Sequence, residues 1–289
     1  MPAKTPALRR LALALRRLRQ AAGLEFEEVI DQSPVSKSTL RRAEKAEARP
    51  NRSTLYILLN LYNVDDATRA EVEADWEEAG NQNFQRPFHA DLRPDYRGWI
   101  ACEESAEHVK EYESHFVPGL GQTREYAHCL IQGVWPSASP TDLEHHVQAR
   151  IDRQAVLTKP KPLRLTAVID QAALHRVVGS PRVMAEQMRH LQALATQPNI
   201  GLRVIPFAAG AHSGMPGGSL AIATFAKTDE PGVVYLDSMA GDALLDSEQD
   251  FAHYSDTFES LAAKALDQDE SLALIAETEQ HYTRQLETA

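Results

Sequence analysis

Apolar residues open the chain at Leu8, Leu11, Leu15, Leu18 and Ala22, the three-and-four spacing of one helical stripe, while Arg9, Arg10, Arg16, Arg17 and Arg19 fall on other faces. Gly23 ends this predicted helix. Phe26, Val29 and Ile30 make a short second stripe that runs into the polar Asp31-Gln32-Ser33-Pro34. After that turn Ser36 is placed to cap a third helix, predicted over 37–48, with Leu40 and Ala43 inward and Lys37, Ser38, Thr39, Arg41 and Arg42 outward. Leu55, Leu58, Leu59 and Tyr62 mark a fourth helix behind Pro50-Asn51, and Val72, Trp76 and Ala79 an acidic fifth.

The polar stretch 80–97, with Pro87 and Pro94 in it, reads as an inter-domain connection, which sets domains at 1–84 and 96–289 around a linker at 85–95. Three further helical patterns follow. They cover 96–112 around Trp99 and Val109, 123–133 around Tyr126 and Leu130, and 141–158 behind Pro140, where Thr141 and Glu144 have capping-box spacing. From Leu163 the period changes, and 163–169, 200–207, 219–225 and 233–236 are short β-rich runs bounded by Gly, Pro and Asp, with a helix at 183–195. Two closing helices are predicted at 246–265 and 269–284. The fold class is therefore α+β: an all-α five-helix head, then a helical segment and an α+β domain with one small sheet.

With 289 residues, 43% hydrophobic and 25% charged, the chain suits two ordinary domains, and no apolar run is long enough to cross a bilayer. Cys102 and Cys129 form no CxxC, so neither a disulfide framework nor a structural zinc site is expected, and a reducing cytoplasm fits. The arginine-rich start continues unbroken into the helical pattern and is kept as mature protein rather than a targeting segment. Charge is unevenly spread. Residues 1–64 hold 12 Lys+Arg against 6 Asp+Glu, whereas the remainder holds 18 against 35. A basic head can neutralise phosphates that an acidic body would repel, so double-stranded DNA is expected at the N-terminus.

Two short helices joined by a tight turn in a basic bundle are what a helix-turn-helix reader needs, because the second helix offers its first residues to base edges. Ser36, Lys37, Ser38, Thr39, Arg41 and Arg42 are the candidate DNA contacts, by groups that pair with guanine edges or phosphate. The run from Leu15 through Leu18-Arg19, Ala21, Gly23-Leu24 and Glu27-Glu28-Val29, followed by Ser36, Ser38, Leu40, Arg42 and Glu44, resembles the Xre/Cro-type domain of actinobacterial regulators. Downstream, Glu103 to Tyr112, Val117-Pro118-Gly119-Leu120 with Gln122-Thr123 and Tyr126-Ala127, Arg150 with Arg153-Gln154, and Ile205-Pro206-Phe207 with Ala209-Gly210 and His212 resemble the effector domain of WhiJ-like, antitoxin-like regulators of streptomycete-type bacteria. The resemblance implies DNA binding as a homodimer, autoregulation or developmental control, and pairing with a small acidic partner protein. Ile30, Pro34 and Ala46 depart from the pattern, standing where such motifs carry a small Ala, a turn Gly and a helix-ending Gly.

Other chemistry is thinner. His145-His146 and a Glu104, His108, Glu111 set at helical spacing lack further ligands, so no metal or cofactor is expected. Residues 210–218 fit neither a nucleophile elbow nor a phosphate loop and read as a strand connection, with His212 a candidate pocket residue. Asp170 and Asp237 end predicted strands as in metal-dependent nucleases, yet no strand lysine accompanies them, and the chain is not expected to be an enzyme. Trp99, Phe116, Leu120, Tyr126 and Trp135 are candidates for a ligand or partner surface, with core packing as the competing role. The leading reading is a cytoplasmic DNA-binding transcription regulator that receives a partner or an unknown small-molecule effector; the rival is an antitoxin-like interaction module with weak or no DNA binding.

Overall fold

Four of the five head helices begin on a side chain that accepts the amide three residues on, from Leu8 to Thr5, Thr39 to Ser36, Thr54 to Asn51 and Thr68 to Asp65. They are α1 (Pro6–Ala21), α3 (Lys37–Glu44), α4 (Arg52–Leu61) and α5 (Asp66–Glu78); α2 (Phe26–Gln32) starts instead on a capping box between Glu25 and Glu28. This computed structural model describes residues 5–80, 93–226, 232–238 and 241–287. It divides into two compact units, 1–102 and 103–289. Of the linker expected at 85–95, residues 85–92 lie outside the described residues, and Pro94 to Arg97, expected in the connection, begin a helix instead.

Three head helices stop by one device. Gly23, Ala46 and Asn63 each take positive φ, and the amide after each reaches back to a carbonyl one turn up, Leu24 to Arg19, Glu47 to Arg42 and Val64 to Leu59. The third helix therefore ends at Glu44, not Ala48 as its sequence predicts. Ala46 sits at φ 53, a left-handed conformation that costs a residue with Cβ roughly 1–2 kcal/mol. Its methyl group is 2% exposed in the core of Leu11, Leu15, Leu40, Leu55, Leu58 and Leu59, and that burial offsets part of the strain. Arg19 closes the opposite side, its Nε and Nη2 on the two Glu44 oxygens at 2.8 and 3.1 Å and its Nη1 donating to Leu24 O.

In the second unit one mixed sheet of six strands runs in the order β3-β2-β1-β4-β5-β6: β1 (His108–Glu113), β2 (Arg164–Asp170), β3 (Ile200–Ile205), β4 (Ser219–Thr224), β5 (Val233–Asp237) and β6 (Ala243–Leu245). Strands β1, β2 and β3 are parallel; β4 joins β1 antiparallel, and β5 and β6 continue antiparallel. The crossovers carry α7 (Arg124–Val134) and α8 (Pro140–Arg153), then α9 (Gln171–His175) and α10 (Pro181–Leu194). One sheet face, through Tyr112, Val168, Ile205, Leu220, Ile222 and Val234, packs on Phe258 and Leu261 of α11 (Glu248–Lys264). The other, through Ile169, Leu202 and Val204, packs on α7, α10 and α12 (Gln268–Glu287). The outer edge of β3 is covered: Leu266 N donates to Val204 O and Ser271 Oγ accepts from Val204 N, both at 2.9 Å.

Two sequence expectations fail here. The segment 96–112 is not one helix, since α6 (Pro94–Ser105) gives way to β1, which puts Val109, Glu111 and Tyr112 at the centre of the sheet. Three charged residues and a histidine in His108-Val-Lys-Glu-Tyr-Glu113 disguise a central strand as a polar helix. The helix of 141–158 begins at Pro140 with Ser139 as its cap, accepting from Asp142 N, and tightens to a 3₁₀ turn at Gln154–Leu157.

The turn leaving β1 is held by side chains because its backbone is buried. Gln122 Nε2 donates to Val117 O (2.7 Å), Gln154 Nε2 to Gly119 O and Gln122 O (3.2 and 2.7 Å), and Gln187 Nε2 to Gly121 O (2.7 Å), while Gln187 Oε1 accepts from Thr123 N (2.8 Å). Gln187 is 0% exposed. Gln187→Ala strands a buried carbonyl and a buried amide together, and we expect a loss of about 3 kcal/mol in denaturant unfolding of the second unit, against under about 0.5 kcal/mol for the exposed Gln20→Ala.

Candidate functional site

The face of α3 is the candidate nucleic-acid interface. Lys37, Ser38, Arg41 and Arg42 are exposed and Thr39 half-buried, as expected of residues outside the Leu40–Ala43 stripe. Their availability differs. Ser36 Oγ accepts from Thr39 N at 3.2 Å and pairs with Thr39 Oγ1 at 2.8 Å, so both hydroxyls serve the cap first. Lys37 Nζ lies 2.5 Å from Glu27 Oε1, an exposed pair that a phosphate competes for at little cost. Arg41 and Arg42 have no ion pair among the described residues, and Lys45 extends the exposed basic run. The turn before α3 does without glycine: Ser33 Oγ donates to Val29 O and accepts from Val35 N, Pro34 points to solvent, and Ile30 packs at the margin of the core.

Most of the aromatic candidates are core. Trp99, Leu120 and Tyr126 are 2%, 1% and 0% exposed, and Phe116 packs against the cluster of α10 and α12, so these four offer no docking surface. Trp135 alone of that set is exposed, at 38%, with its ring edge to His146. Among the described residues no group of three or more His, Cys, Asp or Glu is placed to hold a metal. Glu104, His108 and Glu111 do not share a helical face, because the latter two stand on β1 and point to opposite sides of the sheet. Asp170 and Asp237 also belong to opposite faces: Asp170 alternates with Val168, which packs on α11, and Asp237 with Tyr235 and Val233 on the other. They share no site.

Sequence reasoning missed two polar clusters at the sheet end where β1 and β2 finish. On the α8 side Glu103 and Arg153 form a buried bidentate pair at 2.6 and 2.8 Å, Arg150 reaches Gln122 Oε1 at 3.1 Å, and Glu111 stands beside them with Oε2 buried and unbonded. Burial, opposed by the Arg153 charge, pushes the Glu111 carboxyl up to about 7, and burial beside Glu111 raises Glu113 well above the carboxylate range while Ser219 donates to it. On the α11 side His212 Nε2 meets Asp170 Oδ2 at 2.9 Å, and the His212 ring stands edge-on to Tyr112 with centroids 5.9 Å apart. The strand order explains this meeting. The chain leaves β3 at the sheet edge and must cross the ends of β2 and β1 to enter β4, so the loop 206–218 roofs Asp170 and Tyr112. The signal for both clusters was the ordered set of motifs, whose residues Glu103, Tyr112, Arg150, Arg153 and His212 supply them.

A family model described as a helix-turn-helix domain matches residues 10–72, and one described as a domain of unknown function, DUF5753, matches residues 96–277. No curated protein and no solved structure gives a significant match.

A carboxyl whose folded pKa lies above its unfolded value stabilises the fold fully below the unfolded pKa and loses that contribution as pH rises through the folded one. For Glu111, raised from 4.5 to about 7, stability therefore falls between those values by up to about 1.4 kcal/mol per pH unit. Glu111→Gln is expected to flatten that slope in urea midpoints between pH 5 and 8 and to be the more stable protein at pH 8; a slope unchanged by the substitution contradicts the assignment.

Proposed function

Since the chain belongs to the DUF5753 family over residues 96–277 and carries a helix-turn-helix domain over residues 10–72, we propose that it is a sequence-specific transcription regulator whose second unit receives a signal or a partner. The observation that carries this reading is the pair Arg41 and Arg42, exposed near the end of α3 with no carboxylate among the described residues drawing them back. Ser38 and Lys37 at the first turn complete a surface that suits a major groove, and the excess of positive charge in residues 1–64 supplies sequence-independent attraction to phosphate. On this proposal the head is of the Xre type and the body WhiJ-like, as in actinobacterial regulators. The protein acts in the cytoplasm as a homodimer without catalysing a reaction, and controls its own promoter or a developmental gene.

A second reading has specific support. Lys37 is already neutralised by Glu27, and Ala46 holds the end of α3 in a conformation suited to glycine, features of a head that has drifted from DNA toward binding a small acidic protein as an antitoxin-like module does. The two readings part on DNA.

A regulator binds its own upstream DNA saturably, with log affinity falling against log salt by about 0.9 per phosphate contact. Replacing both Arg41 and Arg42 by Ala is expected to lower affinity at least tenfold and to shallow that slope by about 2, measured by fluorescence anisotropy. Equal affinity for random DNA, or a slope indifferent to both substitutions, favours the interaction module.

A further inference from the structure

The Asp170–His212 cluster holds two buried polar atoms whose needs are complementary and unmet. The Asp170 carboxylate accepts from His212 Nε2–H, which leaves Nδ1 with its lone pair, and that atom is buried without a partner. The Tyr112 hydroxyl, on a side chain 1% exposed, is also buried and unbonded. Burial and the charges of Asp170 and Glu113 hold this phenol above its ordinary range, against the opposing effect of the Ser114 hydroxyl, so it stays a donor. An acceptor and a donor are thus carried by two rings that meet edge-on, with centroids 5.9 Å apart. Buried polar groups are almost always hydrogen-bonded, so a pair left open at a strand end calls for a third molecule.

The roof is built for close approach. A Cβ on Gly214 would lie 2.4 Å from Tyr112 Cε1 and 2.7 Å from its oxygen, so only glycine lets the loop descend onto the phenol. The loop is fixed beforehand, with Phe207 N donating to Gln171 Oε1 at 2.7 Å and Lys264 Nζ to Ala211 O at 3.1 Å. It lies over the carboxyl ends of the parallel strands β1 and β2, beside antiparallel β4.

We propose that Tyr112, Asp170 and His212, beneath the 206–218 loop, form a binding site for a small neutral hydroxylated molecule, one hydroxyl of which donates to His212 Nδ1 and accepts from the Tyr112 phenol. A hydroxyl is the simplest group able to do both, whereas an anion would face Asp170 and an ammonium could not accept from the phenol. The site deepens the reading of the second unit as a receiver of signals and depends on it for its meaning, though not for its detection.

The test titrates the full-length ¹⁵N-labelled protein with D-ribose, myo-inositol and glycerol in turn, following the His212 ring nitrogens by two-bond ¹H–¹⁵N correlation. At least one polyol is expected to shift Nδ1 saturably, with affinity about tenfold weaker in Tyr112→Phe, where the donor is gone and the ring kept. Gly214→Ala, whose methyl raises the roof while the polar groups stay, is expected to weaken binding by a similar factor and guards against a Tyr112→Phe protein that fails to fold. No shift with any of the three, the same affinity in both variants, or a long-lived internal water seen at Nδ1 that none of them displaces would overturn the site. Anisotropy on upstream DNA in the same samples separates the failures: loss of polyol binding with DNA binding intact sinks this site alone, and the converse sinks the regulator and leaves the site standing.

Discussion

A chain that leaves a central strand must turn inside the protein, where no water can satisfy the peptide groups it exposes. At 117–123 that demand is met by amide side chains from three elements: Gln122 in the turn itself, Gln154 after α8 and Gln187 on α10. Each ties a helix to the exit of β1, and so to the sheet. The same ends of α8 carry Arg150 and Arg153, the first bonded to Gln122 and the second to Glu103. Two segments far apart in sequence, one built on Val117-Pro118-Gly119 and the other on Arg150 to Gln154, are thereby the two halves of one internal clasp. The pairing of these two segments has a structural cause, because losing any member leaves buried donors or acceptors unmet.

The head solves a smaller version of the same problem. Its helices are short and each must end cleanly for five to fit around one leucine core, so the carbonyls at three C-termini are closed by backbone amides through a left-handed residue. Glycine and asparagine accept that conformation readily; alanine does so at Ala46 because its methyl is wanted in the core. The Arg19–Glu44 pair then fixes the last turn of α1 to the last turn of α3. That removes one arginine from the charge a nucleic acid meets and places α3, with Arg41 and Arg42 left outward, on a rigid support.

How much of this was legible in the sequence follows from what each pattern encodes. Periodicity reports the face an element buries, and it located the head helices, α7, α10, the two closing helices and four of the six strands. It misplaced β1, because Glu111 and Glu113 occupy interior positions where a strand should show apolar residues, and with β1 went the two parallel crossovers that define the sheet's order. Pro140 was read as preceding its helix when it is the first helical residue, a position its locked φ favours. The exposed arginines of α3 could be read because solvent-facing residues obey the helical period. The meeting of Asp170, His212 and Tyr112 could not, since it depends on strand order, which brings a loop from the sheet edge across two strands that the chain built earlier.

The covered edge of β3 bears on assembly. An open strand edge is a template on which another chain can add its own strand, and parallel sheets with exposed edges are prone to run on into aggregates. Here the connection from α11 to α12 lays Leu266 and Ser271 along the Val204 peptide, and Arg203 holds the carbonyls of Ala265 and Leu266 in place. At Val204 that margin is closed to edge-to-edge pairing. Two copies of this body that associate are left with its helical faces or with the far margin, where β6 offers only three residues for strand pairing.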